Sequence, residues 1–224
     1  MIKIGVLGGI GPEASAEFYH KLIKKLQEEK LIKNNQDYPQ IIINSIPGKE
    51  LINVKVTNDD LKEYIQGLKE LELLNPDFMV MVCNTVHLFL NSLQKEIKTP
   101  ILDLRKEVEF FLKKGSIKSV FVIGTPFALN EGLYKFEGIT SLIPEVYEQK
   151  VLSKCIFNFN KGRQKEEQIK KAKEICLKYL NEGVETVILG CTEFAVMLEK
   201  ENFPKVDTLD ILVDSVIAKV KKMN

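Results

Sequence analysis

Two stretches, Met79-Val80-Met81-Val82-Cys83-Asn84-Thr85 and Val187-Ile188-Leu189-Gly190-Cys191-Thr192-Glu193, decide the fold of this 224-residue chain. In each stretch an apolar run ends at a cysteine, and small polar residues follow. Runs that are apolar throughout are typical of strands buried on both faces, as in parallel sheets. The repetition predicts two similar halves, each of which places one thiol at the end of a strand.

The sequence around the two cysteines repeats in the same order. Residues 98–103 follow the first cysteine as residues 205–210 follow the second, and residues 4–9 are echoed by residues 120–125. Unrelated α/β units also resemble one another, but echoes that keep one order favour an internal duplication. The period is far longer than that of solenoid repeats.

Apolar runs alternate with helical patterns, which predicts parallel sheets covered by helices. We expect an α/β fold of two pseudo-symmetric three-layer domains with mainly parallel sheets and an active site in the cleft between them. The expected domains are residues 1–98 plus 207–224 and residues 99–206. The predicted strands are 2–8, 40–46, 78–83, 100–103, 118–124, 185–190 and 206–208. The predicted helices are 13–33, 58–75, 86–97, 104–114, 164–182, 193–200 and 210–222, whereas residues 126–163 give no clear pattern.

Composition excludes several classes of function. The chain is 45% hydrophobic and 28% charged with a net charge of +1, which is typical of globular proteins. It has no basic block and only two arginines, Arg105 and Arg163, so a nucleic-acid partner is not expected. No apolar run is long enough for a membrane span, and glycines and Pro12 interrupt the first one. We therefore expect a cytoplasmic protein with no membrane partner.

Four cysteines in a chain of this length, without a Cys-x-x-Cys motif, indicate neither a disulfide framework nor thioredoxin-like chemistry. Cys83 and Cys191 each lie between a strand end and a helix start, where unpaired N–H groups favour a thiolate. The alternative is a buried cysteine that acts as a small hydrophobic residue. Cys155 and Cys176 fit that alternative because they lie among apolar residues, whereas position and duplication favour function for the other two.

Polar residues next to the two cysteines are candidates for binding. His87 lies four residues after Cys83, and Glu193 lies two residues after Cys191. These four residues together could form a zinc site, but their spacing matches no known zinc pattern. We expect His87 to order the site or stabilise a thiolate, with a helix-surface histidine as the alternative. Asn84, Thr85 and Thr192 suit a small carboxylate ligand, although Asn and Thr also cap helices.

A glycine-rich turn over residues 8–14 contains a loose dinucleotide-binding pattern. The predicted second strand ends in Asn44-Ser45, however, and lacks the acidic residue that would bind a ribose. A turn that brings backbone N–H groups close to a carboxylate explains the glycines equally well.

Three motifs resemble the aspartate/glutamate racemase superfamily, and in particular its aspartate racemase branch. They are Gly8-Gly9-Ile10-Gly11-Pro12, Cys83-Asn84-Thr85-Val86-His87 and Gly190-Cys191-Thr192-Glu193. The resemblance runs over nearly the whole chain. It implies a cofactor-independent isomerase without a metal, built from two pseudo-symmetric α/β domains and usually a homodimer, which racemises an acidic amino acid such as aspartate.

The resemblance also implies roles for individual residues. Cys83 and Cys191 would be the two acid/base thiols, and Lys161 would help to bind the side-chain carboxylate. The α-carboxylate would be held by Asn84, Thr85, Thr125 and Thr192, and Ile10 would be a further substrate-binding residue. In one place the chain departs from the branch, because Lys49 stands where an arginine that grips the distal carboxylate is usual, and Lys49 would bind that carboxylate as a point charge. A lysine cannot form a bidentate fork, so a different or broader amino-acid range is an alternative.

Other functions stay open on this scaffold. Hydantoin racemases and maleate isomerases belong to the same superfamily and also use paired cysteines, and a maleate isomerase-like enzyme would use one cysteine as a nucleophile. A binding protein for a small acid and, more distantly, a nucleotide-dependent oxidoreductase are the remaining alternatives.

Overall fold

The structure, a computed structural model, describes residues 1–49, 51 and 56–223. These residues form two sheets in which all strand pairings are parallel. The first sheet contains β1 (Lys3–Gly8), β2 (Gln40–Ser45) and β3 (Phe78–Met81), in the order β2-β1-β3. The second contains β4 (Ser119–Ile123), β5 (Thr140–Leu142), β6 (Thr186–Leu189) and β7 (Lys205–Asp207), in the order β5-β4-β6-β7.

The two sheets have the same strand order. Each half begins with a central strand, places its second strand on one side and its third on the other. Ile101 then forms an isolated parallel bridge to Met79 of β3, at the place that β7 occupies beside β6. This match confirms the predicted α/β class with two similar halves. The strand predicted over 100–103 is therefore only a bridge, and the domain boundaries proposed from the sequence stay predictions.

Nine α-helices connect and cover the strands in the described part of the chain. They are α1 (Pro12–Glu28), α2 (Lys62–Glu72), α3 (Leu90–Gln94), α4 (Leu104–Lys114), α5 (Pro126–Asn130), α6 (Val146–Asn160), α7 (Lys165–Asn181), α8 (Thr192–Met197) and α9 (Thr208–Met223). Short 3-10 helices lie at Asn35–Asp37, Asn58–Leu61 and Thr85–Phe89. The helix predicted over 86–97 is thus divided into a 3-10 turn and α3.

One apolar core joins the two sheets. Residues of α1, α4 and α9 pack together with the inner faces of both sheets, for example Ile4 and Val6 from β1 and Val120 and Val122 from β4. The outer face of the first sheet packs against α2, and that of the second packs against α6, α7 and α8. Because helices cover both faces, every residue of β3 and β6 is buried, as their apolar sequences predict.

None of the helices in the described ranges combines the length and the apolar character that crossing a membrane would require.

Candidate functional site

The carboxyl ends of β1, β3, β4 and β6 surround one small cavity. Parallel strands of an α/β protein present their carboxyl ends to ligands, so this is the expected place for a site. Cys83 and Cys191 both line it and are only 8% and 6% exposed. The other described lining residues are Ile10, Gly11, Leu51, Asn84, Thr85, Thr125, Ile156, Asn160, Thr192 and Glu193. Both halves of the molecule therefore contribute a thiol to the same space.

The cavity is small. It offers about 30 Å³ to the centre of a water-sized sphere. A space of this size holds one or two water molecules but no amino acid. The cleft therefore has to widen before a ligand of that size can enter.

The pKa values of both cysteines are raised at this site, which favours the thiol form. Burial raises the pKa of Cys83 to about 12, and the nearby charge of Glu193 acts in the same direction. The backbone N–H groups of Val86 and Thr85 favour the thiolate, as expected at a helix start, but burial outweighs them. Burial is the main reason why the pKa of Cys191 is raised well above its usual range. The charge of Glu193 and the hydrogen bond from the thiol to Glu193 raise this pKa further. The predicted effect of these N–H groups is therefore present at both cysteines, but burial outweighs it.

Glu193 links Cys191 to two other residues. The Cys191 thiol donates to Oε2 of Glu193 with a separation of 2.8 Å, and the Thr192 hydroxyl donates to the same oxygen at 3.2 Å. The side-chain amide of Asn160 donates to Oε1 at 3.0 Å. The carboxylate is buried and accepts a hydrogen bond directly from the thiol. Sequence reasoning missed Asn160, although it directly precedes Lys161.

The first half contributes a second buried polar group. Asn84, only 1% exposed, accepts a hydrogen bond at Oδ1 from the hydroxyl of Tyr134, which sequence reasoning also missed. Its Nδ2 has no partner among the residues that the structure describes. The hydroxyls of Thr85 and Thr125 lie 3.1 Å apart and join the two halves, and Thr125 also accepts from the N–H of Ala128.

His87 is buried beneath the site. It is 1% exposed, and its Nε2–H donates to the carbonyl of Met81 at 3.3 Å, whereas Nδ1 is unpartnered within the described ranges. Burial lowers its pKa to about 4. The helix-surface alternative is therefore wrong. His87 is not among the described residues lining the cavity, and its buried position is consistent with ordering the turn after β3.

Lys49 and Lys161 lie outside the cavity lining in the described structure. The Lys49 ammonium pairs with Asp60, and its side chain is 60% exposed. The Lys161 ammonium lies over the ring of Phe157, 3.8 Å from its centroid. The contacts that the resemblance implies for these lysines stay predictions. Across the described residues, no three His, Cys, Asp or Glu side chains are grouped so that they could hold a metal ion.

The glycine-rich turn brings the two halves close together. Gly9 and Gly11 have φ angles of +88° and +83°, which favour glycine. A Cβ on Gly11 would lie 2.7 Å from Oε1 of Glu193, and one on Gly9 would lie 2.2 Å from the carbonyl oxygen of Ile46. Close approach to a carboxylate and to neighbouring backbone therefore explains these glycines.

The fold and the site define a duplicated α/β protein that encloses a pair of thiols between its halves. The chain matches the Asp/Glu/Hydantoin racemase family over residues 7–223, and it belongs to that family.

Curated relatives match part of the chain. A "Broad specificity amino-acid racemase RacX" from Bacillus subtilis is 29% identical over 133 residues, which are 59% of this chain and 58% of that protein. A glutamate racemase from Aquifex aeolicus is 32% identical over 57% of this chain and 50% of its own length. The chain thus spans between half and three-fifths of the length of these relatives.

Solved structures match over nearly the whole chain. PH1733 from Pyrococcus horikoshii, described as an aspartate racemase homologue, is 27% identical and has a TM-score of 0.75, with 99% of this chain and 100% of that chain covered. The aspartate racemase of Picrophilus torridus is 24% identical with a TM-score of 0.76, covering 98% and 94% of the two chains. Because the Picrophilus torridus protein is only 24% identical, its similarity shows the fold alone.

Proposed function

We propose that the protein is a cofactor-independent amino-acid racemase in which Cys83 and Cys191 are the two acid/base groups. The observation that carries the proposal is the shared cavity, to which each half contributes one buried thiol. Inversion at Cα requires a base on one face of the substrate and an acid on the other. Two cysteines on facing halves supply groups of matching chemistry.

In the proposed reaction, one cysteine as thiolate removes the Cα proton, and the other as thiol delivers a proton to the opposite face. The Cα–H bond electrons move into the carboxylate as an enediolate and return to form the new Cα–H bond. The second cysteine is then the thiolate, so the reverse reaction uses the same groups in exchanged roles. Atoms and charge balance without an oxidant or a cofactor.

A thiolate has to form before the first step. The Glu193 carboxylate, 2.8 Å from Cys191 Sγ, is placed to accept that thiol's proton. The substrate ammonium brings a positive charge into the site, which lowers the pKa of nearby thiols. Each unit of pKa is worth about 1.4 kcal/mol, so these local charges matter greatly in a buried site.

The enediolate also needs stabilisation. The amide of Asn84, the hydroxyls of Thr85, Thr125 and Thr192, and backbone N–H groups at the adjoining helix starts are the available donors. Fixed donors aimed at developing negative charge are worth far more in a closed, water-poor site than in water. The small volume of the cavity supports such a role.

We propose aspartate or a related amino acid as the substrate, with a broader range as the alternative. The resemblance to the aspartate racemase branch supports the first. The departure at Lys49 and the similarity to a broad-specificity amino-acid racemase support the second. We further propose a cytoplasmic homodimer, and sedimentation analysis of the purified protein tests its oligomeric state.

The test is to incubate the reduced, metal-free protein in D₂O with L-aspartate, L-glutamate and a panel of other L-amino acids. Loss of the Cα proton is followed by NMR, and inversion by chiral chromatography. We expect exchange with inversion on at least one amino acid. Saturable binding without exchange would indicate a binding protein instead, and a covalent adduct of maleate at a single cysteine would indicate an isomerase-like reaction.

A further inference from the structure

Tyr134 is a buried tyrosine that contacts the site from outside the described cavity lining. It follows α5 in the second half, is 2% exposed, and donates its hydroxyl to Oδ1 of Asn84 in the first half. Asn84 directly follows Cys83 in the chain. The bond therefore crosses between the halves at the residue next to one thiol.

The hydroxyl of Tyr134 determines which end of the Asn84 amide can serve a ligand. An asparagine side chain has one acceptor oxygen and one donor NH₂ group. Because Oδ1 is engaged by Tyr134, Nδ2 is left as the free end, and it is buried without a partner among the described residues. A buried donor without a partner is costly, so a ligand acceptor would be favoured there. Asn84 also lines the cavity.

The ring of Tyr134 packs against Gly190, next to the second cysteine of the cavity. A Cβ built on Gly190 would lie 3.3 Å from ring atoms Cδ2 and Cε2 of Tyr134. Gly190 directly precedes Cys191 in the chain. The Tyr134 side chain therefore packs against the residue before Cys191 and hydrogen-bonds to the residue after Cys83. Burial also raises the pKa of Tyr134 well above its usual range, which keeps its hydroxyl a donor.

We propose that Tyr134 is a positioning residue that holds the Asn84 amide with its NH₂ group toward the substrate carboxylate. The inference rests on the proposed function, because the partner that it assigns to the Asn84 NH₂ group is the carboxylate of the proposed substrate. Without the hydroxyl, the amide can rotate and present its oxygen, which repels a carboxylate.

The kinetic test is a double-mutant cycle of Tyr134→Phe and Asn84→Ala. Tyr134→Phe keeps the ring against Gly190 and removes only the hydroxyl. We expect it to lower kcat/KM about tenfold or more, since loss of one oriented donor in such sites costs about 100-fold to 1,000-fold. In the Asn84→Ala background the same change should have no further effect, because contacting residues that act through one another are non-additive.

Tyr179→Phe is the matched control. Tyr179 is also buried and donates its hydroxyl to a carboxylate, that of Glu148, but it lies in the core cluster of α6 and α7. We expect this variant to keep the wild-type kcat/KM. An equal loss from Tyr134→Phe in both Asn84 backgrounds would overturn the proposal and indicate a merely structural role.

A second measurement does not depend on catalysis. In ¹⁵N-labelled protein, the side-chain NH₂ signals of Asn84 are identified by their loss in Asn84→Ala. We expect Tyr134→Phe to shift them and Tyr179→Phe to leave them in place. Unmoved signals in Tyr134→Phe would overturn the inference. A wild-type protein that racemises nothing would count against the proposed function instead, so the two failures are distinguishable.

Discussion

At the scale of single residues, contacts separate the four cysteines into two pairs. All four are free and buried. Cys191 shares an apolar cluster with Cys155 and Cys176, and Cys83 lies in another, but of the four only Cys83 and Cys191 are among the described residues that line the cavity. Their place at strand ends could be predicted from the sequence. The raised pKa values of these thiols could not, because burial by distant residues such as Leu51 and Ile156 arises only on folding.

Removing either thiol of the cavity should abolish racemisation. Loss of a positioned acid or base lowers rates by about 100-fold to 10,000-fold, and the proposed reaction needs both groups in each direction. We expect kcat for Cys83→Ala and for Cys191→Ala to fall at least that far, measured by chiral chromatography. Cys155→Ala serves as the control and should stay active. Full turnover in both directions by either cavity variant would refute the two-thiol mechanism.

The raised pKa of Cys83, about 12, predicts how the free protein reacts with iodoacetamide. The thiolate is the reactive form, and a free cysteine has a pKa of about 8.5. Alkylation of Cys83 in the folded protein should therefore rise about tenfold per pH unit from pH 7 to pH 10 without a plateau. Peptide mass spectrometry measures the rate. The urea-unfolded protein should reach its plateau above about pH 9, and a plateau below pH 8 in the folded protein would contradict the prediction.

At the scale of elements, the turn between β1 and α1 lies where the two halves meet, with Gly11 close to Glu193. Gly11→Ala should be destabilising for two reasons, its positive φ and the 2.7 Å approach of a Cβ to Glu193. Gly138→Ala is a matched control, because Gly138 has a φ of +78° and a Cβ there would meet no atom of the described residues within 4 Å beyond its chain neighbours. The backbone strain costs about 1–2 kcal/mol in both.

We expect urea denaturation to show a larger loss of unfolding free energy for Gly11→Ala than for Gly138→Ala, and only Gly11→Ala should lose racemase activity. Equal losses of stability with full activity in both variants would show that the contact with Glu193 is unimportant.

Elements whose apolar residues are regularly spaced and buried could be predicted from the sequence. Elements that expose apolar residues and bury polar ones could not. Helix α4 begins and ends where its sequence predicts. Helix α6 was missed because Val146 and Tyr147 in its first turn are exposed, while Glu148 and Gln149 are buried. The Glu148 carboxylate accepts from Lys178 and Tyr179 of α7, so a tertiary hydrogen-bond network makes its burial possible. The edge strand β5 has only three residues, too few for a periodic pattern.

At the scale of the whole molecule, His87 should link folding to pH. Its folded pKa of about 4 is below the ordinary value of 6.5, because burial disfavours the charged form. The charge of Asp103 opposes this shift and that of Arg105 adds to it. A depressed pKa means that the unfolded chain binds the proton first. This part of the stability is present above pH 6.5 and is lost as the pH falls toward 4.

We expect His87 to account for a loss of about 1.5 kcal/mol in unfolding free energy between pH 6.5 and pH 5. Urea denaturation at several pH values measures it. His87→Gln should lack this part of the pH dependence, and His20→Gln, at the other and exposed histidine, should retain it. An NMR titration of the His87 ring gives a direct second reading, and a midpoint near 6.5 would contradict the prediction.

The duplicated halves enclose the site between them, and this arrangement could be predicted from the repeated strand-end cysteines. The contacts across the cleft could not be predicted, because Tyr134 and Asn160 are distant in sequence from their hydrogen-bond partners, Asn84 and Glu193. Each half brings one thiol to the shared cavity, so the central claim is that two different groups act on the two faces of Cα.

The most direct measurement follows deuterium in both enantiomers during the first few per cent of turnover in D₂O. With two thiols, the base that removes the proton is not the acid that returns one. We therefore predict deuterium at Cα of the newly formed D-amino acid, while the remaining L-amino acid keeps its protium. Deuterium appearing at equal rates in both enantiomers, or a D-product that retains the original proton, would indicate a single base and contradict the account.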